Sequence, residues 1–301
     1  MISPTIFKKY AYICTAKTII RIEKMKKTLI SLALMAACVS TSNAQVNNPF
    51  PWDFPQDFKI TADPGQWVLS CYTFYPLALK ENKKVEEENL IFYSTTMTQV
   101  GPQKSIVGGD AEIPNALIIP LDKNAKAKKG DILLTWWQGG SGLQRAIVKD
   151  DSNPAEPKVD FLDLSYDDKR PEFSFAIKYG DKQLEPGSFT VLEDGKWMSG
   201  AQVAVRDGGN WLCTTLINMT EDKVIVLKWG DHVGAYKKAD CRLVPFKEKL
   251  KKGDAVWAEW VGKYRSGYKV EKVDMKIGRV WVEKDGDVEV KSIAEVTKVL
   301  E

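Results

Sequence analysis

From Gly65 onward, apolar residues alternate with polar ones over stretches of a few positions, and glycine- and aspartate-bearing turns interrupt them at short intervals. Such alternation has the period of a strand with one buried face. It is cleanest in Val203-Ala204-Val205, in Val224-Ile225-Val226-Leu227 and in Val280-Trp281-Val282. The turns are expected at Gly108-Gly109-Asp110, Gly139-Gly140-Ser141-Gly142, Asp194-Gly195, Asp207-Gly208-Gly209-Asn210, Trp229-Gly230-Asp231 and Asp285-Gly286-Asp287. Helical periodicity is nearly absent; the exception is Leu79 to Ile91 (LKENKKVEEENLI), a short charged helix or an enlarged loop. Residues 45–64 hold four prolines and four aromatics without periodicity. They read as an extended lead-in, because proline fixes φ and removes a ladder donor. Its aromatics are expected to pack on the first module.

The pattern repeats. The stretch Lys251 to Val273 (KKGDAVWAEWVGKYRSGYKVEKV) has a degraded copy at Lys128 to Asp150 (KKGDILLTWWQGGSGLQRAIVKD). Setting Asp131 on Asp254 also sets Trp137 on Trp260 and Gly139 on Gly262. Upstream, Phe92 to Val107 aligns without a gap on Trp211 to Val226: Thr95, Thr96, Lys104, Ile106 and Val107 are identical to Thr214, Thr215, Lys223, Ile225 and Val226. Fixed-order self-similarity of this kind marks a duplicated unit. The halves run 65–185 and 198–301, and each divides again at its KKGD. Short strands at a density of about five per fifty residues leave edges exposed unless they curl into small barrels. The expected fold is therefore all-β: four small barrels at 65–127, 128–185, 198–247 and 251–301, arranged as two duplicated pairs.

In the second half, Gly253-Asp254, an alternating strand ending at Trp260, Tyr268 opening the next strand, Val280-Trp281-Val282, Asp285-Gly286-Asp287 and a closing strand at Val296 follow one another. This string resembles a Tudor-like (SH3-like) barrel, and the segment before it resembles the related agenet version. The resemblance covers 199–301 directly and 65–185 through the internal repeat. It implies small five-stranded barrels and a binding role, often toward methylated lysine or arginine in an aromatic cage, whose ring faces attract a weakly hydrated cation. Trp260 and Tyr268 match two cage positions; the other two fall near Glu283 and Asp285-Gly286, which are not aromatic. In 199–247, Trp211 and Trp229 lie near cage positions, with Arg206 on the first strand. The 128–185 module keeps Trp137 but has Arg145 where the tyrosine belongs. No module shows a full cage.

Charge changes the picture once the N-terminus is set aside. Met25-Lys26-Lys27, the apolar run Thr28 to Val39 and Ser42-Asn43-Ala44 have the order of a signal peptide, and residues 1–24 read as an upstream extension. The apolar run is shorter than the roughly 20 residues that span a bilayer. Two processing readings stand: cleavage before Gln45, and lipidation at Cys38 of the lipobox-like Met35-Ala36-Ala37-Cys38. Removing the seven basic residues and one acid of 1–44 from the 43 Lys+Arg and 40 Asp+Glu of the whole chain turns its formal charge from +3 to −3. A nucleic-acid partner then loses the concentrated positive surface that phosphate binding needs. An exported location also removes chromatin, so methyl-lysine reading is not carried over. Cys71, Cys213 and Cys241 remain in the mature part; a Cys213–Cys241 disulfide and three buried thiols both stand as readings.

Catalytic signatures are sparse. His232 is the sole histidine, no G-x-S-x-G elbow or phosphate loop exists, and no zinc-ligand spacing is present. No cofactor is expected. The carboxylate pairs Glu193-Asp194 and Asp167-Asp168 read as turn formers, and the basic runs Lys123 to Lys129 and Lys247 to Lys252 as connectors between modules. The aromatics Trp260, Tyr268, Tyr264, Trp137, Trp211 and Trp229 are the candidate ligand-binding residues; core packing is the competing account of each. The sequence reading is an exported, periplasmic or extracellular, non-enzymatic binding or scaffolding protein of the cell envelope. Its expected partner is a protein or glycan of the envelope, with membrane attachment only through lipidation at Cys38. The alternatives are a glycan-binding module with exposed tryptophans and a hydrolase using His232 and Cys241.

Overall fold

The computed structural model describes residues 58–137 and 142–300. The leader, Cys38, most of the lead-in and the turn residues Gly139 to Ser141 lie outside the described residues. Of the lead-in aromatics, Phe58 is described, and it is buried in the main core.

Four five-strand sets follow one another. The first comprises Trp67–Ser70 (β1), Tyr93–Gln99 (β2), Lys104–Val107 (β3), Ala111–Pro114 (β4) and Ile118–Pro120 (β5), in the order β4-β3-β2-β1-β5. The second comprises Ile132–Trp137 (β6), Gly142–Asp150 (β7), Lys158–Phe161 (β8), Lys182–Gln183 (β9) and Thr190–Leu192 (β10). The third has Gln202–Asp207 (β11), Asn210–Met219 (β12), Lys223–Lys228 (β13), His232–Lys237 (β14) and Cys241–Leu243 (β15). The fourth has Ala255–Trp260 (β16), Lys263–Asp274 (β17), Arg279–Lys284 (β18), Asp287–Ser292 (β19) and Val296–Thr297 (β20). In every set the first strand pairs antiparallel with both the second and the fifth, and the remaining strands form a meander.

One backbone device opens each set. Gly65, Gly130, Gly200 and Gly253 have φ of +82°, +83°, +90° and +87°, the region where a side chain is strained. Each donates its N–H to a carbonyl of the second strand, at Met97, Val148, Leu216 and Val270. Those four residues return an N–H to the carbonyl of the residue after the glycine: Gln66, Asp131, Ala201 and Asp254. The KKGD repeat is the side-chain version of this turn. Asp131 and Asp254 accept the N–H of Lys128 and Lys251 at 2.8 and 2.9 Å. With Asp131 set on Asp254, β6 coincides with β16 end to end.

The sets share part of their interior, while the second and third each keep a smaller core of their own. One apolar cluster contains Leu69 and Phe92 from the first set, Ile147 from the second, Ile225 from the third and Val280 from the fourth. The third and fourth sets join into one ten-stranded sheet where Trp211 pairs with Tyr264 and Leu212 with Lys263. Arg279 of β18 is buried and donates to the carbonyls of Phe161, Leu162 and Leu164 in the second set.

The helix lies upstream of the charged stretch. Phe74–Lys80 is helical, because Tyr75 and Ala78 reach the core on one face. The helix ends at Lys80, and the rest of Leu79 to Ile91 is irregular loop with a 3-10 segment at Val85–Glu87. Leu90 donates to the carbonyl of Asp231, which ties this loop to the third set.

Candidate functional site

The proposed cage pair is split. Trp260 pairs with Lys263 at the hairpin end of β16, whereas Tyr268 pairs with Val256 near its other end. Four residues of strand separate the two positions, roughly 13 Å at about 3.3 Å per residue. Trp260 is 51% exposed, but Tyr268 is 4% exposed, with the Lys284 ammonium 5.0 Å from its ring centre. Tyr264 is also interior: its hydroxyl donates to the Ala294 carbonyl and accepts from Gln202. Trp211 is half-buried against the small cluster around Tyr264. Trp229, 66% exposed, lies over the Val261-Gly262 turn, where a β-carbon on Gly262 would come within 2.5 Å of its own.

Trp137 sits in a different setting. β6 ends in consecutive tryptophans, and alternation sends them to opposite faces. Trp136 packs on Trp67 of the first set, ring centres 5.0 Å apart. Trp137 meets Tyr179 at 4.9 Å and Phe175 at 6.2 Å, and the latter two rings stack at 6.1 Å. The partners come from the segment between β8 and β9. There Pro171 starts a 3-10 turn and Ser174 caps the helix Phe175–Lys178, its hydroxyl accepting the Ile177 N–H at 3.2 Å. Ala176 is the buried residue of this helix, while Phe173, Phe175, Ile177 and Tyr179 stay exposed. A cleft of about 350 Å³ adjoins the rings, its lining including Trp137, Tyr179, Phe161, Lys182, Gln183 and Glu185, together with the buried Thr135 and Ser188. Sequence reasoning missed Phe173, Phe175 and Tyr179. Their one signal was an apolar residue at every second position from 173 to 179, a strand period in a segment that turned out to be turn and helix.

A second cleft, of about 250 Å³, lies where the second, third and fourth sets meet. Its floor is a buried polar network. Arg145, 5% exposed, donates from Nε and Nη2 to Asp163 and from Nη1 to Gln202, whose amide donates to Cys213 and Tyr264. Glu295 lines the same cleft, and burial pushes its carboxyl above the ordinary value of 4.5.

Of the two readings of the cysteines, the structure has the unbonded one: Cys213 and Cys241 are both free thiols. Cys213 pairs with Ala204 and Cys241 with Val205, on either side of β11. Neighbouring positions on β11 face opposite ways, so the two side chains point to opposite faces from strands two ladder spacings apart, beyond disulfide reach. Burial pushes the Cys213 thiol up to about 12 and the Cys241 thiol up to about 11. Cys241 bonds the Lys237 carbonyl and His232 lies 3.1 Å from the Glu88 carbonyl, so the two are not engaged with each other. A nucleophilic cysteine needs a depressed pKa and a partnered base, and neither is present here. No group of three or more metal-ligating side chains occurs among the described residues.

No family model matches the chain, and no curated protein matches it. Among solved structures, the crystal structure of ADCP1 tandem agenet domains 3-4 is 18% identical, with a TM-score of 0.20, covering 33% of this chain and 77% of that one. The AGD34 crystal structure of Arabidopsis thaliana AGDP1 is 11% identical, also at a TM-score of 0.20, covering 38% of this chain and 81% of that one. A likeness this loose brings neither ligand nor mechanism to this chain.

Proposed function

We propose that this chain is a non-enzymatic binding protein, exported to the cell envelope, that takes its ligand on the aromatic surface around Trp137. Four Tudor-like barrels in two pairs form the scaffold in this reading, one per five-strand set. The observation that carries it is the ring cluster Trp137, Phe175 and Tyr179 beside the cleft. Trp137 is half-buried against the core of the second set, and burying the Phe175 and Tyr179 rings as well would have been favourable by about 1.5–3 kcal/mol each. Instead a short capped helix holds Phe175 and Tyr179 at the surface, next to two more exposed apolar residues. An exposed apolar patch with a polar rim is the usual mark of an interaction site. The hydrolase alternative gains no support, because the Cys241 thiol is raised and buried and His232 is engaged elsewhere.

Hydrogen exchange tests the binding reading. The purified chain, mixed with cell-envelope extract, is expected to gain protection in residues 173–188, and Tyr179→Ala is expected to abolish that gain. Protection confined to other segments, or none, would remove the Trp137 surface as the binding site. Cell fractionation tests export: recovery of the full-length chain only from the cytoplasm would sink that part.

A further inference from the structure

We propose that the ligand of the Trp137 surface is a carbohydrate, a neutral pyranose chain laid against the rings; this rests on the binding reading above. Three observations separate a sugar from the other ligands an aromatic site accepts.

The rings form a platform and not a cage. A caged cation needs several ring faces around it, each within about 6 Å of the charge. Here the ring centres lie 4.9, 6.1 and 6.2 Å from one another. Rings in mutual contact leave no room for an ammonium between them. Phe175 and Tyr179 lie within 16° of parallel and Trp137 tilts 44° and 51° to them, so the cluster offers a faceted apolar surface, which suits the C–H face of a pyranose.

The chain's own cations already occupy the site. The Lys178 ammonium sits 5.3 Å from the Tyr179 ring centre, and Lys182 lines the cleft. A cationic ligand would meet like charge and find a ring face taken. An anionic ligand would in turn meet Glu185.

The rim is polar. Gln183 and Glu185 are exposed at the cleft beside the rings. A wholly apolar ligand would strip water from these groups with no replacement partner. A ring with an apolar face and a hydroxyl edge satisfies both surfaces together. The cleft, about 350 Å³, lies at the small end of the roughly 300–1,000 Å³ common for small-molecule sites.

Calorimetric titration of the full chain with cellotetraose, maltotetraose, mannotetraose and chitotetraose, and separately with tetramethylammonium chloride, tests this. At least one tetrasaccharide is expected to bind, and tetramethylammonium is not. Tyr179→Ala removes an exposed ring and is expected to weaken the sugar about tenfold, the equivalent of one aromatic contact. Gln183→Ala is expected to weaken it as well, with the melting temperature unchanged in both variants. Sugar binding indifferent to both substitutions would overturn the site. Tetramethylammonium binding that Tyr179→Ala abolishes, with no sugar bound, would overturn the ligand class and leave the binding surface standing. Binding of neither probe overturns the carbohydrate proposal, and the hydrogen-exchange result then decides separately whether the surface binds anything.

Discussion

Replacing Arg145 by alanine is expected to destabilise the whole described body, because its guanidinium holds together parts of the chain that share no ladder. Arg145 lies on β7 of the second set, and it donates to Gln202 on β11 of the third as well as to Asp163. Truncation would leave the Asp163 carboxylate with the Arg145 backbone N–H, at 2.6 Å, as its remaining partner in this network. It would also leave the buried Gln202 amide oxygen without its donor. Removing one partner of a buried ion pair costs about 3–5 kcal/mol. Asp163 is 20% exposed at its side chain, so water recovers part of that loss, and about 3 kcal/mol is the working figure. At roughly 2–4 °C per kcal/mol for a body of this size, the melting temperature should fall by about 6–12 °C. Urea unfolding and scanning calorimetry measure it. The paired change Arg145→Met with Asp163→Leu should recover most of the loss, since apolar replacement of both partners is often neutral. A fall under about 2 °C for Arg145→Ala, or a double variant no better than the single, would refute the assignment of the network as the tie between sets.

Three further outcomes are expected. Val261 has φ of +49° in the two-residue turn between β16 and β17, a region hostile to β-branched side chains, and its side chain is exposed. Val261→Asn supplies the residue this turn favours before glycine and should raise stability by about 1 kcal/mol, read by urea midpoint; a loss would show that Val261 is held by contacts that outweigh the strain. Glu295 has its carboxyl raised chiefly by burial, so the folded chain keeps that proton to higher pH than the unfolded chain. Its stabilising contribution is full below the ordinary value of 4.5 and is lost as pH rises through the folded value. Glu295→Gln should therefore gain on the native protein as pH rises from about 4 to 7, while the amide oxygen keeps the Ser292 N–H; a constant difference in melting temperature would contradict the burial. Because Cys71, Cys213 and Cys241 are unbonded, dithiothreitol should leave the melting temperature unchanged, and denatured protein should titrate three thiols from these positions with Ellman's reagent.

What could be read from the chain alone was local. Alternation and glycine-bearing turns identified an all-β protein, because a strand with one buried face imprints a period of two whatever lies beyond it. The KKGD and Thr-Thr repeats were legible for the same reason: each encodes one turn and the two strands that flank it, within a few dozen residues. The helix Phe74–Lys80 was not legible, since its seven residues contain a proline and two buried positions and show no extended periodicity.

The functional surface was decided at longer range. Trp260 and Tyr268 satisfy a spacing rule, yet the hairpin register of β16 and β17 puts them at opposite ends, one in water and one in the core. Trp137 acquires Phe175 and Tyr179 only because β8 and β9 pair and carry the intervening helix back over the end of β6. Cys213 and Cys241 lie in one set, but the alternation of β11 turns them to opposite faces. Sequence by itself determined the kind of strand and the places where it turns, since those depend on neighbours along the chain. Tertiary structure alone decided which aromatic rings meet and which of them reach solvent, because cross-strand register and the packing of one set on another are set by residues far apart in sequence.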